Sequence, residues 1–469
     1  MSAALFSWGF SAKNMQVTNT SILDASLYAL AGFAAVIPLF YLNIRYARRL
    51  GMIDWPKARG LSDDHVPIIG PSLMAVALTA IGILMAFFPV SPWVLTTSAI
   101  IGVMGFLDDR RPLPALDKLF FQAVCATAVV CLDPHIATNL TSHFGMPGLF
   151  VGGLFILALV NAVNFIDGID GLAGVVLLSA FAVLPLVQAN HSVIAPYAIL
   201  GCVIAGALVP FLYLNVLKRR GFLGNVGSYF FSFLVAVCHL AIPYDAVDVL
   251  ARFSISSLCF LVPLADAATV ITLRLWSQRS PFKADKGHLH HRLVQTNLPL
   301  RATLGVFGVI QLVGVVSCLY LGQTAFVGSG HMATVSFAGL ALIATMLIVL
   351  LERASRIRVQ AYFQRLDSGD PIYFLKYTVA RADRAALKFA ELKRLEAKFC
   401  AEIRVTDICV AQGADTLFLV LRTLAEPLRG ISSRLESVIQ QEKQYTFTLL
   451  ERGDFSKRVG NPENARKQA

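Results

Sequence analysis

Asp108 and Asp109 are adjacent carboxylates, followed at once by Arg110 and Arg111, in the stretch GFLDDRRPLPALDK that runs from Gly105 to Lys118. Mg²⁺ takes a few carboxylate or amide oxygens and leaves its other positions to water and phosphate oxygens. Nearby cations, Lys118 among them, neutralise phosphate charge. The plain alternative is a solvated charge cluster at a helix end. A second stretch, NAVNFIDGIDGLAG (Asn161–Gly174), places Asn161, Asn164, Asp167 and Asp170 every third residue. Each step of three on an α-helix turns by about −60°, so the four cannot face one atom unless the helix breaks. Gly168 and Gly171 allow such a break. The helix would then deliver Asn164 and Asp167 to its rim, where Asp170 and unpaired N–H groups could join them. A simple Asp-Gly turn is the competing reading.

A third stretch, HLHHRL, holds His288, His290, His291 and Arg292. Zinc would be expected to bring Cys or paired carboxylate ligands in the usual spacing, and neither accompanies these histidines. Imidazoles and a guanidinium donating to a diphosphate fit better, with a solvated histidine loop as the alternative.

These residues need elements to position them. The chain has 469 residues, of which 56% are hydrophobic and 15% charged, against about 25% charged in a soluble domain. It reads as a membrane protein. The N-terminal residues have no basic region leading into an apolar run and a cleavage site, so a signal peptide is not expected. Eleven apolar segments approach the length of about 20 residues that a bilayer requires. They lie at 22–45, 72–89, 92–107, 119–133, 148–163, 170–189, 194–214, 227–243, 250–275, 303–322 and 332–352. Lys and Arg collect in alternate loops, whereas loops 90–91, 134–147, 190–193, 244–249 and 323–331 have none. By the positive-inside rule the N-terminus lies outside and the C-terminus in the cytoplasm. All the polar stretches then face the cytoplasm. That asymmetry suits an enzyme using a cytosolic substrate; a transporter would place polar groups near mid-bilayer.

The eight cysteines contain no CxxC pair and suggest no disulfide framework. Beyond residue 352 the composition turns mixed and charged. The expected architecture is therefore an all-α polytopic membrane domain (1–352) of about eleven spanning helices, plus a small cytoplasmic α+β domain (353–469) of unknown role. In the latter, ADRAALKFAELKRLEAKF has helical spacing and EIRVTDICVAQGADTLFLVLRTL reads as two strands about a Gly-containing turn.

The motifs GFLDDR, NAVNFIDGIDGLAG, FLGNVGSYF and PLADAATVITLRLWSQRSPFKADKGHLHHRL, in that order, resemble the bacterial polyprenyl-phosphate N-acetylhexosamine-1-phosphate transferases. The resemblance covers residues 20–352 and leaves the tail unmatched. It implies transfer of a sugar-1-phosphate from a UDP-N-acetylhexosamine to undecaprenyl phosphate at the inner membrane, on its cytoplasmic face. UMP is released, and a lipid-linked cell-surface glycan is begun. Mg²⁺ is the implied cofactor, with Mn²⁺ as its substitute. The expected partners are the two substrates and the bilayer, with homodimerisation allowed and no nucleic acid. By position, the resemblance assigns catalysis to Asp108, Asp109, Asp167 and Lys118, and metal binding to Asn164, Asn225 and Asp109. Substrate contacts fall to Asn161, Asp170, Arg220, Asp266, His288, His290, His291 and Arg292.

The chain also departs from the family. Asn225 stands where the family's GDxGS has a metal-binding aspartate, and Pro112 where a third acidic residue is expected. Arg59-Gly60-Leu61-Ser62 replaces an expected RKxH. An amide oxygen still ligates Mg²⁺ but brings no negative charge. The alternative reading is thus a catalytically degenerate relative that binds UDP-sugar or polyprenyl phosphate and acts as a regulator.

Overall fold

The computed structural model describes residues 22–54, 66–187, 195–242, 249–276, 288–289, 300–324, 336–346, 349–350, 372–378, 407–412, 416–422 and 446–450. They fall into two compact units divided after Arg353.

The first unit is helical. Its elements are α1 (Ile22–Leu50), a two-residue ribbon of β1 (Ile53–Asp54) and β2 (Val66–Pro67), then α2 (Gly70–Phe87), α3 (Pro92–Arg110) and α4 (Ala115–Leu132). There follow α5 (Pro134–Phe144), α6 (Met146–Ile166), α7 (Leu172–Val187) and α8 (Ala195–Leu212), which runs into a π-helical turn, Tyr213–Leu217. The last are α9 (Gly224–Leu240), α10 (Val249–Leu258), α11 (Leu261–Trp276) and α12 (Leu300–Thr324). A further apolar helix runs from Ser336 to Met346.

α9 is the axis of this unit, with every residue from Val226 to Leu240 buried. It is hydrophobic all round because it is surrounded all round; α3 and α6 make the closest sides of its sheath. The outer helices show the opposite pattern. Val309, Leu312, Val316 and Tyr320 make an exposed apolar stripe along α12. Such a face is stable in lipid and not in water.

Six helices among the described residues are long and apolar enough to cross a membrane. The chain is a multi-pass membrane protein, and of the roughly eleven expected spans, several of them short, these six have the length and hydropathy to cross. Four further apolar helices have only 10–17 residues, and α9 can be short because protein, not lipid, covers it.

Two boundaries also differ from the sequence reading. The supposed outer loop 134–147 is largely helix α5. The Asp133 carboxylate caps it by accepting from the N–H of Ile136 at 2.9 Å, with Pro134 in the first turn. The supposed single span 250–275 is two helices parted at Cys259–Phe260. Pro263 has no N–H to donate to the carbonyl of Cys259, four residues back. Gln311 of α12 makes good the loss: its Nε2 donates to Cys259 O at 2.6 Å and to Ser179 Oγ at 3.0 Å. Its Oε1 accepts from Val262 N at 3.4 Å.

The second unit contributes four antiparallel strands, β3 (Ile372–Thr378), β4 (Asp407–Gln412), β5 (Thr416–Arg422) and β6 (Thr446–Leu450), in the order β4-β5-β3-β6. β4 and β5 pair on either side of residues 413–415, in register Asp407↔Arg422. The helical stretch expected at ADRAALKFAELKRLEAKF lies outside the described residues.

Candidate active site

The C-terminal ends of α3 and α6 and the N-terminal ends of α4 and α9 all lie at one end of the bundle. α3 brings Asp108 and Asp109, α4 brings Lys118, α6 brings Asn164 and α9 brings Asn225. Here the structure draws together residues 117 apart in sequence.

Asp108 is the hub. It is 3% exposed, and an isolated buried carboxylate would be costly. Its Oδ2 takes Lys118 Nζ at 2.8 Å, Asn225 Nδ2 at 2.9 Å and the Tyr229 hydroxyl at 3.2 Å. Its Oδ1 takes the N–H of Leu113 at 2.8 Å. The Lys118–Asp108 pair is a charge-assisted hydrogen bond in a mostly buried setting, which makes it stronger than a surface ion pair.

Asp109 plays a different part. Its two oxygens accept the N–H groups of Asn225 and Val226 at 2.8 and 3.0 Å. It therefore caps the first turn of α9, where anionic charge is favoured. The cap requires Gly224: that residue has φ +74°, and a Cβ there would lie 2.7 Å from Asp109 Oδ2. The chain entering α9 is further fixed by the segment before α2. Phe222 donates to Pro67 O at 2.9 Å, and its own carbonyl accepts from Ile69 N at 2.8 Å.

Asn164 donates through Nδ2 to Asn225 Oδ1 at 3.0 Å and to Ser228 Oγ at 2.9 Å. α6 ends at Ile166, Asp167 is its C-cap, and the chain turns through Gly171 (φ +87°) into α7. The break inferred from the glycines is thus present. Asp167 is 9% exposed, and its N–H bonds to Asn164 O at 3.3 Å. Asp170 lies beyond the turn. Burial pushes its carboxyl above the usual carboxylate range, and the charge of Arg219 pulls it back part of the way.

A second group forms around α11. Asp266 Oδ2 is 2.7 Å from His288 Nδ1, and its Oδ1 accepts the N–H of Leu289 at 2.6 Å. The His288 ring lies 5.1 Å from that of Phe165 on α6, which links the histidine segment to the helix that carries Asn164.

Not every anticipated residue joins these groups. Asn161 donates to Gln122 Oε1 of α4 at 2.7 Å and to Leu157 O at 2.8 Å, so its amide is held within the helix packing. Arg220 is exposed, with its backbone N–H on Leu214 O at 2.9 Å. It is Arg219, with the unusual φ of +51°, that interacts with Asp170. His290, His291 and Arg292 lie outside the described residues. The sequence reading missed Tyr229 and Ser228, although both lie within one turn of Asn225 and so share its side of the helix.

Among the described residues no three His, Cys, Asp or Glu side chains are grouped to hold a metal. The donor chemistry is nonetheless of the kind Mg²⁺ accepts. Asp109, Asn164 and Asn225 bring one carboxylate and two amides to neighbouring helix ends, and carboxylate and amide oxygens are hard ligands.

Fold and site define a multi-pass membrane protein with a carboxylate, amide and lysine cluster where four helix ends meet. Residues 91–242 match the model of glycosyl transferase family 4, a range that includes the whole Asp108 cluster. The chain is 30% identical over 305 residues to the decaprenyl-phosphate N-acetylglucosaminephosphotransferase of Mycobacterium tuberculosis, covering 57% of this chain and 76% of that protein. It is 28% identical to the probable undecaprenyl-phosphate N-acetylglucosaminyl 1-phosphate transferase of Bacillus subtilis, covering 59% and 79% respectively. It is 25% identical to the undecaprenyl-phosphate alpha-N-acetylglucosaminyl 1-phosphate transferase of Escherichia coli K12, covering 61% and 79%. The chain belongs to glycosyl transferase family 4, among relatives that are polyprenyl-phosphate N-acetylglucosamine-1-phosphate transferases.

Proposed function

We propose that this protein transfers an N-acetylhexosamine-1-phosphate from a UDP-N-acetylhexosamine to undecaprenyl phosphate at the cytoplasmic face of the inner membrane. A phosphate oxygen of the lipid attacks the phosphorus that bears the sugar. The bond from that phosphorus to the bridging oxygen breaks, UMP leaves with that oxygen, and a lipid-linked pyrophosphate results. The alternate basic loops support the cytoplasmic side. The observation that carries the reading is the Lys118–Asp108–Asn225–Asn164 chain at the helix ends, a position suited to a phosphate at the membrane edge.

Phosphoryl transfer depends on positioning and charge neutralisation. Lys118, held by Asp108, is placed as a point charge for phosphate. Asp108 already accepts four hydrogen bonds, which makes it a poor nucleophile and favours direct attack by the lipid over a covalent phospho-enzyme. Asp266 orients His288 for the diphosphate, and His290, His291, Arg292 and Arg220 are assigned the same substrate. Mg²⁺, which Asp109, Asn164 and Asn225 would hold, supplies further neutralisation of the phosphate oxygens when bound.

The test is lipid-extractable label from purified protein given undecaprenyl phosphate and radiolabelled UDP-N-acetylglucosamine. Metal-dependent label supports the reading. No label with any UDP-hexosamine, while the nucleotide still binds, would leave a regulatory binder instead.

A further inference from the structure

An ionised carboxylate can only accept hydrogen bonds. The atom of Asn225 that lies 2.9 Å from Asp108 Oδ2 is therefore the amide nitrogen. The other end of that amide is then oxygen, and it meets Asn164 Nδ2 at 3.0 Å. Asn164 in turn gives the same nitrogen to Ser228 Oγ at 2.9 Å. Asp108 thus sets the orientation of both amides in sequence.

The charges at this point are already matched. Lys118 offsets Asp108. Asp109 directs both oxygens to N–H groups at the N-terminus of α9, whose dipole offsets its charge. Asp167 is buried and has interactions of its own. Of the groups assigned to a cation, Asp109 already shares its charge with the start of α9, and Asn164 and Asn225 offer amide oxygen, which carries no net charge. An aspartate at 225 would change this. Its oxygen would face Asp108 Oδ2 at hydrogen-bond distance, and two such carboxylates require a shared proton or a cation between them.

We propose that Asn225 makes the divalent cation a visitor to this site: the protein alone holds it weakly, and it enters with the nucleotide diphosphate, whose charge completes its ligand set. The second half of the proposal rests on the function proposed above; the first half concerns the protein and metal only.

The experiment is an electron paramagnetic resonance titration of Mn²⁺ into the full chain in detergent, for wild type and Asn225→Asp. Without nucleotide, the wild type is expected to leave the free Mn²⁺ signal unchanged, while Asn225→Asp depletes it with at least about tenfold tighter binding. Adding UDP-N-acetylglucosamine to the wild type should deplete the signal beyond what the nucleotide takes alone. Depletion of the free Mn²⁺ signal by the wild type without nucleotide overturns the proposal, and that titration stands even if the variant does not fold. Equilibrium dialysis of labelled UDP-N-acetylglucosamine separates the remaining outcomes. Nucleotide bound without added Mn²⁺ uptake overturns the proposal alone; no binding of UDP-N-acetylglucosamine or of any other UDP-hexosamine, with or without Mn²⁺, overturns the proposed function and the arrival of the cation with it.

Discussion

Asp108 and Asn225 lie 117 residues apart in the chain and meet at 2.9 Å, carboxylate oxygen to amide nitrogen. The contact joins the end of α3 to the start of α9 and sets the polarity of the cluster. Asp108→Asn removes the charge that holds Lys118 and makes the facing groups compete as donors. We expect transfer to fall by about 10²–10³-fold, with UDP-sugar binding spared. Label incorporation and dialysis check the two halves; full activity in this variant would remove Asp108 from the mechanism. Combined with Lys118→Met, the two losses should fail to add, with a coupling of about 0.5–3 kcal/mol.

The Gly224–Asp109 relationship predicts a stability effect. Gly224→Ala forces a side chain into the left-handed region and against Asp109 Oδ2, at a cost of about 1–3 kcal/mol. Asp109→Ala removes the helix cap at about 1 kcal/mol. Because Asp109→Ala removes one of the two close contacts, with Ile68 Cγ2 at 2.5 Å remaining, the double variant should lose somewhat less than the sum. Thermal unfolding in detergent measures all three; an additive result would mean that the clash is relieved elsewhere.

Gln311 supplies to Cys259 O the hydrogen bond that Pro263 denies it, and accepts the N–H of Val262 beside the break. Gln311→Leu leaves the buried carbonyl of Cys259 without that donor, at about 1–3 kcal/mol. A lowered unfolding temperature is expected, with KM for the nucleotide sugar unchanged. A large rise in KM would instead place Gln311 near the substrate.

For Asp266 and His288, held at 2.7 Å, the expectation is kinetic. His288→Ala and Asp266→Asn should each raise KM for the UDP-sugar more than they lower kcat, since both act on its binding. The double variant should be little worse than either single one. A kcat effect without a KM effect would contradict their assignment to the diphosphate.

Asp170 gives a pH dependence. Its carboxyl is raised by burial despite Arg219, so its folded value lies above its unfolded value. Its contribution to stability is fully present below the unfolded pKa and is lost as pH rises through the folded one. Asp170→Asn should therefore unfold at a higher temperature than wild type near neutral pH, and the difference should vanish on acidification into the carboxylate range. A difference that grew on acidification would reverse the sign and identify Arg219 as the stronger influence.

The sequence by itself determined most of the apolar helical segments, and the few polar stretches that hold the candidate site residues. Both follow from local facts: hydropathy is summed along a segment, and Asp108 with Asp109, like Asn164 with Asp167, lie close together in the chain. The glycines at 168 and 171 likewise announced the turn after α6, because backbone freedom belongs to the residue itself. Only the tertiary structure decided that Asp109 is a cap for α9 while its neighbour Asp108 is a hub. It also decided that Asn161 pairs with Gln122, and that Tyr229 and Arg219 belong to the polar groupings. Those outcomes depend on which helix lies against which, and a burial pattern as uniform as that of α9 carries no directional signal. The break between α10 and α11 stands between the two cases. Pro263 made it legible as a weakness, but the helix that mends it was visible only when Gln311 was found beside Cys259.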